Sequence, residues 1–194
     1  MTPAYSTALS DAVLALSAFY TSMSVYRIST FAAVGFLLMA SAASLGVLRF
    51  SQAYPSDSLV GRHKYMSKLT ASFGLPMIAV AFLRQPLLTC VVLTVAVSFF
   101  VFQQNLSPAV AAQVGEAIGA SAMLIIIVQG FLCSNVCSIF GVGVFAFAAL
   151  VIKTEGYFNS IPRVDLFHYA LVLANVLLKE GLQFAQLPDV YYKP

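Results

Sequence analysis

Six polar side chains of this 194-residue sequence lie within or beside long apolar stretches and are of types that do chemistry: Asp11, Ser41, Ser44, Glu116, Asp165 and His168. A carboxylate with an imidazole can move protons, and a serine hydroxyl beside a base can act as a nucleophile. Imidazole with carboxylates can also hold zinc. Glu116 is the most constrained of the six, standing alone in the apolar run 108–132. An acidic side chain in hydrocarbon costs a few kcal/mol unless it faces other helices or water, so this run is expected to be an interior helix. Ala111, Gly115 and Gly119 fall on nearly one face of it and predict close packing against a neighbouring backbone. Replacing Glu116 by Gln is then expected to be nearly silent for folding, and Gly119→Leu to overfill a tight contact.

The elements that must position these residues are those of a membrane protein. Hydrophobic residues make up 60% of the chain and charged ones 9%, against roughly 25% charged in soluble domains. With lipid in place of water, only helices or a closed barrel satisfy the backbone. The apolar runs are close to 20 residues long and do not alternate, which selects helices. The expected fold class is therefore all-α: a polytopic integral membrane helix bundle, a single domain over 1–194 with seven transmembrane helices. The expected spans are 9–26, 28–50, 69–83, 87–102, 108–132, 136–152 and 164–183, with six spans as the rival count. The stretch 51–67 reads as a polar surface loop, and 153–163 as a second one. Asp11, following Ser10, reads as a first-turn carboxylate beside an N-cap. Pro76 suggests a kink in the short third span. Residues 1–10 lack a basic leader and cleavage site, so the first helix is expected to do the targeting. The formal net charge of +3 is scattered over short connections, with no basic stripe for nucleic acid.

With seven spans, the N-terminus and the connections after spans two, four and six share one side, called here side A. Side A carries Arg49, Arg62, Lys64, Lys68, Lys153 and Arg163; side B carries Arg27, Arg84, Lys179 and Lys193. Six against four favours a cytosolic N-terminus and a non-cytosolic C-terminus. The same arithmetic places all six chemical candidates in the half nearer side A, as one candidate polar pocket drawn from four helices. Capping and interfacial roles account for Asp11, Asp165 and His168 equally well. Ser41 and Ser44 read also as packing hydroxyls bonded to their own helix. Cys90, Cys133 and Cys137 all fall near side B, where an oxidising compartment would permit a bridge from Cys90 to either of the others. Their other reading is as small apolar packing residues.

The arrangement of seven short-looped spans, with a serine at 41 or 44 on the second and Asp165 or His168 on the last, resembles the heptahelical membrane hydrolase superfamily of alkaline ceramidases and progestin and adiponectin receptors. That resemblance implies a zinc held by histidines and a lipid-directed activity. The chain departs from the pattern: it has two histidines in all, and the residue four after His168 is Val172. A zinc hydrolase site wants three protein ligands and an open position, so neither metal nor cofactor is expected. No Walker A motif, dinucleotide fingerprint or nucleophile elbow occurs.

Three function classes follow as expectations. The first is a protein without a complete catalytic site, acting through membrane lipid or a membrane-protein partner as an accessory subunit or scaffold. The second is a lipid hydrolase or lipid-binding receptor of the alkaline ceramidase type, and the third a small carrier. The expected setting is an endomembrane, such as the endoplasmic reticulum, or the plasma membrane.

Overall fold

The computed structural model describes residues 4–83 and 85–185. Arg84 and the tail from 186 onward, which carries Lys193, lie outside the described residues. Helix α1, Tyr5–Val25, and helix α2, Thr30–Phe50, form an antiparallel hairpin. The turn is set by Ser29, whose hydroxyl accepts from the Ala32 amide at 3.3 Å as the N-cap of α2. The buried stripe of α1 runs Thr7, Asp11, Leu14, Ala18, Thr21 and Val25, at the three-and-four spacing of one helix face. Because α1 starts at Tyr5, Ser10 and Asp11 belong to its second turn and are buried against other helices. They are not the cap and first-turn pair that the sequence suggested.

The stretch 51–67 is not a loop over most of its length. Helix α3, Asp57–Leu69, is capped by Ser56, has Asp57 in its first turn and Lys68 in its last, and so complements the helix dipole at both ends. Leu59, Val60, His63, Met66 and Leu69 make its half-buried stripe, and no residue of it is fully buried. It runs on without a break through a π-helical turn, Thr70–Gly74, into α4, Leu75–Val80. Pro76 explains the turn, since it has no amide for the Ser72 carbonyl four residues back and its ring crowds that carbonyl in regular α geometry. The widened turn takes up the mismatch.

Helix α5, Pro86–Phe102, buries only Ala96 and otherwise presents apolar side chains outward. A 3₁₀ turn, Gln103–Asn105, leads to α6, Pro108–Leu132, whose cap is Ser107. Helix α7, Val136–Phe147, returns beside α6 and ends in a second π-helical turn, Ala148–Ile152. A two-residue hairpin, β1 Tyr157–Phe158 and β2 Ile161–Pro162, turns on Asn159 and Ser160, both at positive φ, the requirement of a type I′ turn. Helix α8, Arg163–Ala185, packs between α1 and α7. Asn135 fixes that layer: its Oδ1 accepts from the Ser138 amide at 3.2 Å and its Nδ2 donates to the Gly181 carbonyl at 2.6 Å.

Among the described residues the chain is thus all-helical apart from the short hairpin, and four of the helices are long and apolar enough to cross a membrane: Tyr5–Val25, Thr30–Phe50, Pro86–Asn105 and Pro108–Leu132. Val136–Ile152 is a shorter apolar helix. The packed face of α6 is Ala122, Ile126 and Gly130. Ala111, Gly115 and Gly119 continue the same stripe toward the other end of α6, where they are half-buried and no residue is fully buried. A Cβ at Gly115 would meet the Phe99 ring at an ordinary 3.5 Å, and one at Gly119 would meet nothing within 4 Å. The expected tight contact at Gly119 is therefore absent, and so is the enclosed setting expected for Glu116, which is exposed.

Close approach is needed instead at Gly35 and Gly181. A Cβ at Gly35 would lie 2.6 Å from the Gly74 carbonyl oxygen, and one at Gly181 2.9 Å from the Ser138 backbone nitrogen. Gly35→Ala and Gly181→Ala are each expected to cost about 1–3 kcal/mol through overpacking. Gly119→Leu should leave stability close to wild type. Thermal unfolding in detergent micelles tests this, and a midpoint for Gly119→Leu as low as for the other two would show that α6 packs more tightly than described.

Candidate functional site

The second turn of α1 and the first two turns of α8 meet in a buried polar junction. Asp11 Oδ1 stands 3.4 Å from His168 Nδ1. The Ser10 hydroxyl lies 3.0 Å from the same nitrogen, and it is within donating distance of Asp165 Oδ1 at 3.2 Å and of the Thr7 carbonyl at 3.0 Å. Ser10 is fully buried, and Asp11 and Asp165 nearly so. The other Asp11 oxygen, Oδ2, has no hydrogen-bond partner among the described residues and rests against the Cα of Gly46 on α2. Ser41 and Ser44 take no part, because their hydroxyls donate to the Leu37 and Ala40 carbonyls of their own helix, each at 2.8 Å.

A second polar contact continues from α2 to α3. Arg49 Nη1 donates to His63 Nδ1 at 3.0 Å, so the imidazole accepts and is neutral at that nitrogen. The Arg49 guanidinium also lies over the Phe50 ring at 4.9 Å, and that ring meets His63 edge-on at 5.8 Å. Burial first, and then the Arg49 charge, lower the His63 pKa below its ordinary value of 6.5.

Both histidines line one cleft of about 940 Å³ at the end of the bundle where α1 begins. Its open part carries polar side chains, with Ser67, Gln113, Glu116 and Lys153 exposed and His63 and His168 half-buried. Its buried lining is apolar apart from Asp11, formed by Leu14, Met39, Ala42, Ala43, Leu75 and Leu171. One wall is the free half of α6. Both π-helical turns contribute lining residues, Thr70 and Ala71 from one and Ala149 and Leu150 from the other. Such turns hold well under 1% of residues in proteins and favour functional sites, so two on one cleft single it out from the rest of the surface.

Three of the six sequence candidates, Asp11, Glu116 and His168, thus share this cleft. Asp165 lies behind it, bonded to Ser10, and the two serines of α2 stay outside. Ser10, His63, Gln113 and Lys153 were not legible as site residues. For His63 a signal was present, because Ser56 followed by Asp57 and an apolar stripe announces a capped helix.

Chemically, the junction is not a charge-relay triad. A triad uses both ring nitrogens, Nδ1 toward the carboxylate and Nε2 toward the hydroxyl, whereas here Ser10 and Asp11 both face Nδ1. Among the described residues no three His, Cys, Asp or Glu side chains converge to hold a metal ion, so the residues do not fit the zinc that the superfamily resemblance implies. Cys90, Cys133 and Cys137 are free thiols, Cys90 exposed and the other two half-buried. No family model matches the chain, and no curated protein or solved structure matches it.

The lowered pKa of His63 gives a pH dependence. Between the ordinary value of 6.5 and the lower folded value, the unfolded chain binds more protons than the folded one, so stability rises with pH there. It is lost as pH falls through the folded value. The α2–α3 contact is expected to loosen below about pH 6, read as faster amide exchange in Asp57–Leu69 after correction for intrinsic rates. His63→Gln, which keeps an acceptor and cannot charge, should remove the effect. Equal corrected exchange in wild type at about pH 5 and about pH 7.5 would rule this out.

Proposed function

We propose that the chain is a seven-span membrane protein that holds an amphiphilic lipid in the cleft without cleaving it, acting through lipid or membrane-protein contacts. The observation that carries this reading is the lining of the cleft, polar where it is exposed and apolar apart from Asp11 where it is buried, which suits a head group and a hydrocarbon chain. Ser10, the hydroxyl beside His168, is fully buried and not among the lining residues, and the two hydroxyls that do line the cleft, Ser67 and Thr70, donate to the His63 and Leu38 carbonyls, which speaks against hydrolysis. Seven crossings are supported by three further rods beside the four long apolar helices. The stretch 69–83, which continues α3 through its π-helical turn into α4, the helix Val136–Ile152 and α8 each run alongside their neighbours. On the balance of basic residues the cleft end faces the cytosol.

The test fills the cleft. Ala120 lines it and is exposed within it, so Ala120→Trp has room for the ring without disturbing the core. Protein purified from membranes in mild detergent should carry bound lipid detectable by native mass spectrometry, and Ala120→Trp should reduce that occupancy about tenfold, a loss of about 1.4 kcal/mol. Equal occupancy in the two proteins would remove the cleft as the binding site.

A further inference from the structure

The cleft holds an open charge pair. Glu116 on α6 and Lys153 at the end of α7 both line it, both are exposed, and neither forms an ion pair or hydrogen bond with another described side chain. They are level with one another. The α6–α7 turn is tight, with Leu132 ending one arm and Val136 starting the other, so Glu116 and Lys153 each lie about 24 Å along their arm at the helical rise. With that turn at one boundary of a hydrocarbon core about 30 Å thick, both would stand about 6 Å short of the other boundary, within reach of the head groups of that leaflet.

Lys153 is held there by an unusual backbone. It caps the second π-helical turn at φ 58° and ψ −174°, a conformation that L residues other than glycine rarely adopt, with its amide bonded to the Ala148 carbonyl at 2.8 Å. Glycine would be the residue of least strain at this position. Gln113 stands one turn from Glu116 on the same wall and adds an amide at the mouth.

Resting on the lipid-binding reading above, we infer that this pair is a clamp for a zwitterionic head group, Glu116 accepting from a primary ammonium and Lys153 donating to a phosphate, so that the amphiphile is an aminophospholipid. A head with phosphate alone would leave Glu116 unpaired and bring a second anion to it. A head with an amine alone would leave Lys153 unpaired. One that carries both, a few bonds apart, answers both walls at the depth where lipid head groups lie. A primary ammonium suits a carboxylate because it donates N–H bonds, and charge-assisted bonds of this kind are about twice as strong as neutral ones.

The experiment compares three lipids on the full-length protein in detergent, delipidated and then titrated under native mass spectrometry. They are dioleoylphosphatidylethanolamine, dioleoylphosphatidylglycerol and a dioleoyl trimethylammonium lipid. Wild type should retain the ethanolamine lipid about tenfold better than either of the others. Glu116→Gln, which is isosteric, should bring its retention down to that of the glycerol lipid. Lys153→Gly relieves the backbone and so does not endanger folding, and it should bring retention down to that of the trimethylammonium lipid. Equal retention of all three by wild type, or an unchanged preference in either variant, overturns the clamp and leaves the cleft as a lipid site. No retention of any lipid by wild type overturns the lipid-binding reading as well.

Discussion

The Asp11 carboxylate has a place in the bundle because residue 46 is glycine. A Cβ at Gly46 would clash with Asp11 Oδ2 and with the carboxyl carbon that bears it, while Met39, Ala40 and Ala43 of the same helix pack into the core. From that seat the carboxylate reaches His168, and Ser10 on the same turn reaches both His168 and Asp165. Three helices are thereby fixed in register at one end, where small residues such as Ala8, Ala40 and Ala43 let the backbones approach. Buried carboxylates carry a heavy desolvation cost, which neighbouring hydrogen bonds offset only in part. What they give in return is one definite alignment of α1, α2 and α8, onto which the remaining helices are added.

The cleft follows from where that alignment ends. At the opposite end Asn135 ties the α6–α7 turn to Gly181, and Gly181 and Gly141 let α7 lie directly on α8. Helix α6 is therefore anchored through its turn and through Ala122, Ile126 and Gly130, while no residue of its first half is buried. A helix held at one end, beside a three-helix core clamped at the other, leaves a gap between them. The two π-helical turns border that gap with Thr70, Ala71, Ala149 and Leu150, while Ser72, Gly74 and Ala148 of the same turns are buried against the bundle.

Much of the helix plan was legible because apolar length and caps are written locally. The run 108–132 was read with the bounds the structure gives it, as was 136–152. The stretch around α3 was misread because its charges, Arg62, Lys64 and Lys68, outweighed its cap and stripe. The start of α1 was placed four residues late, which turned a buried pair into a cap. Most instructive is Gly119. A ladder of small residues is written identically whether it meets a backbone or an open cleft, and the choice is made by contacts distant in sequence. The same holds for Ser41 and Ser44, whose hydroxyls satisfy themselves on their own helix and so carry no information about what lies opposite. Ser10 and His63 could be joined to the site only by the packing of α1 on α8 and of α2 on α3.

The depth of Glu116 changes what its presence means. At a bilayer midplane a lone carboxylate would cost a few kcal/mol, a large part of the roughly 5–15 kcal/mol by which a protein is stable. About 24 Å back from the Leu132 end of α6, it would instead come close to the interface of a bilayer that the helix crosses, where water and head groups reduce that cost. Lys153, level with it on the other arm, is long enough to turn its ammonium toward the same layer. Neither residue contributes to the buried core. Glutamine at 116 and glycine at 153 would hold the fold at least as well, so stability alone does not account for an opposed pair left open at that depth.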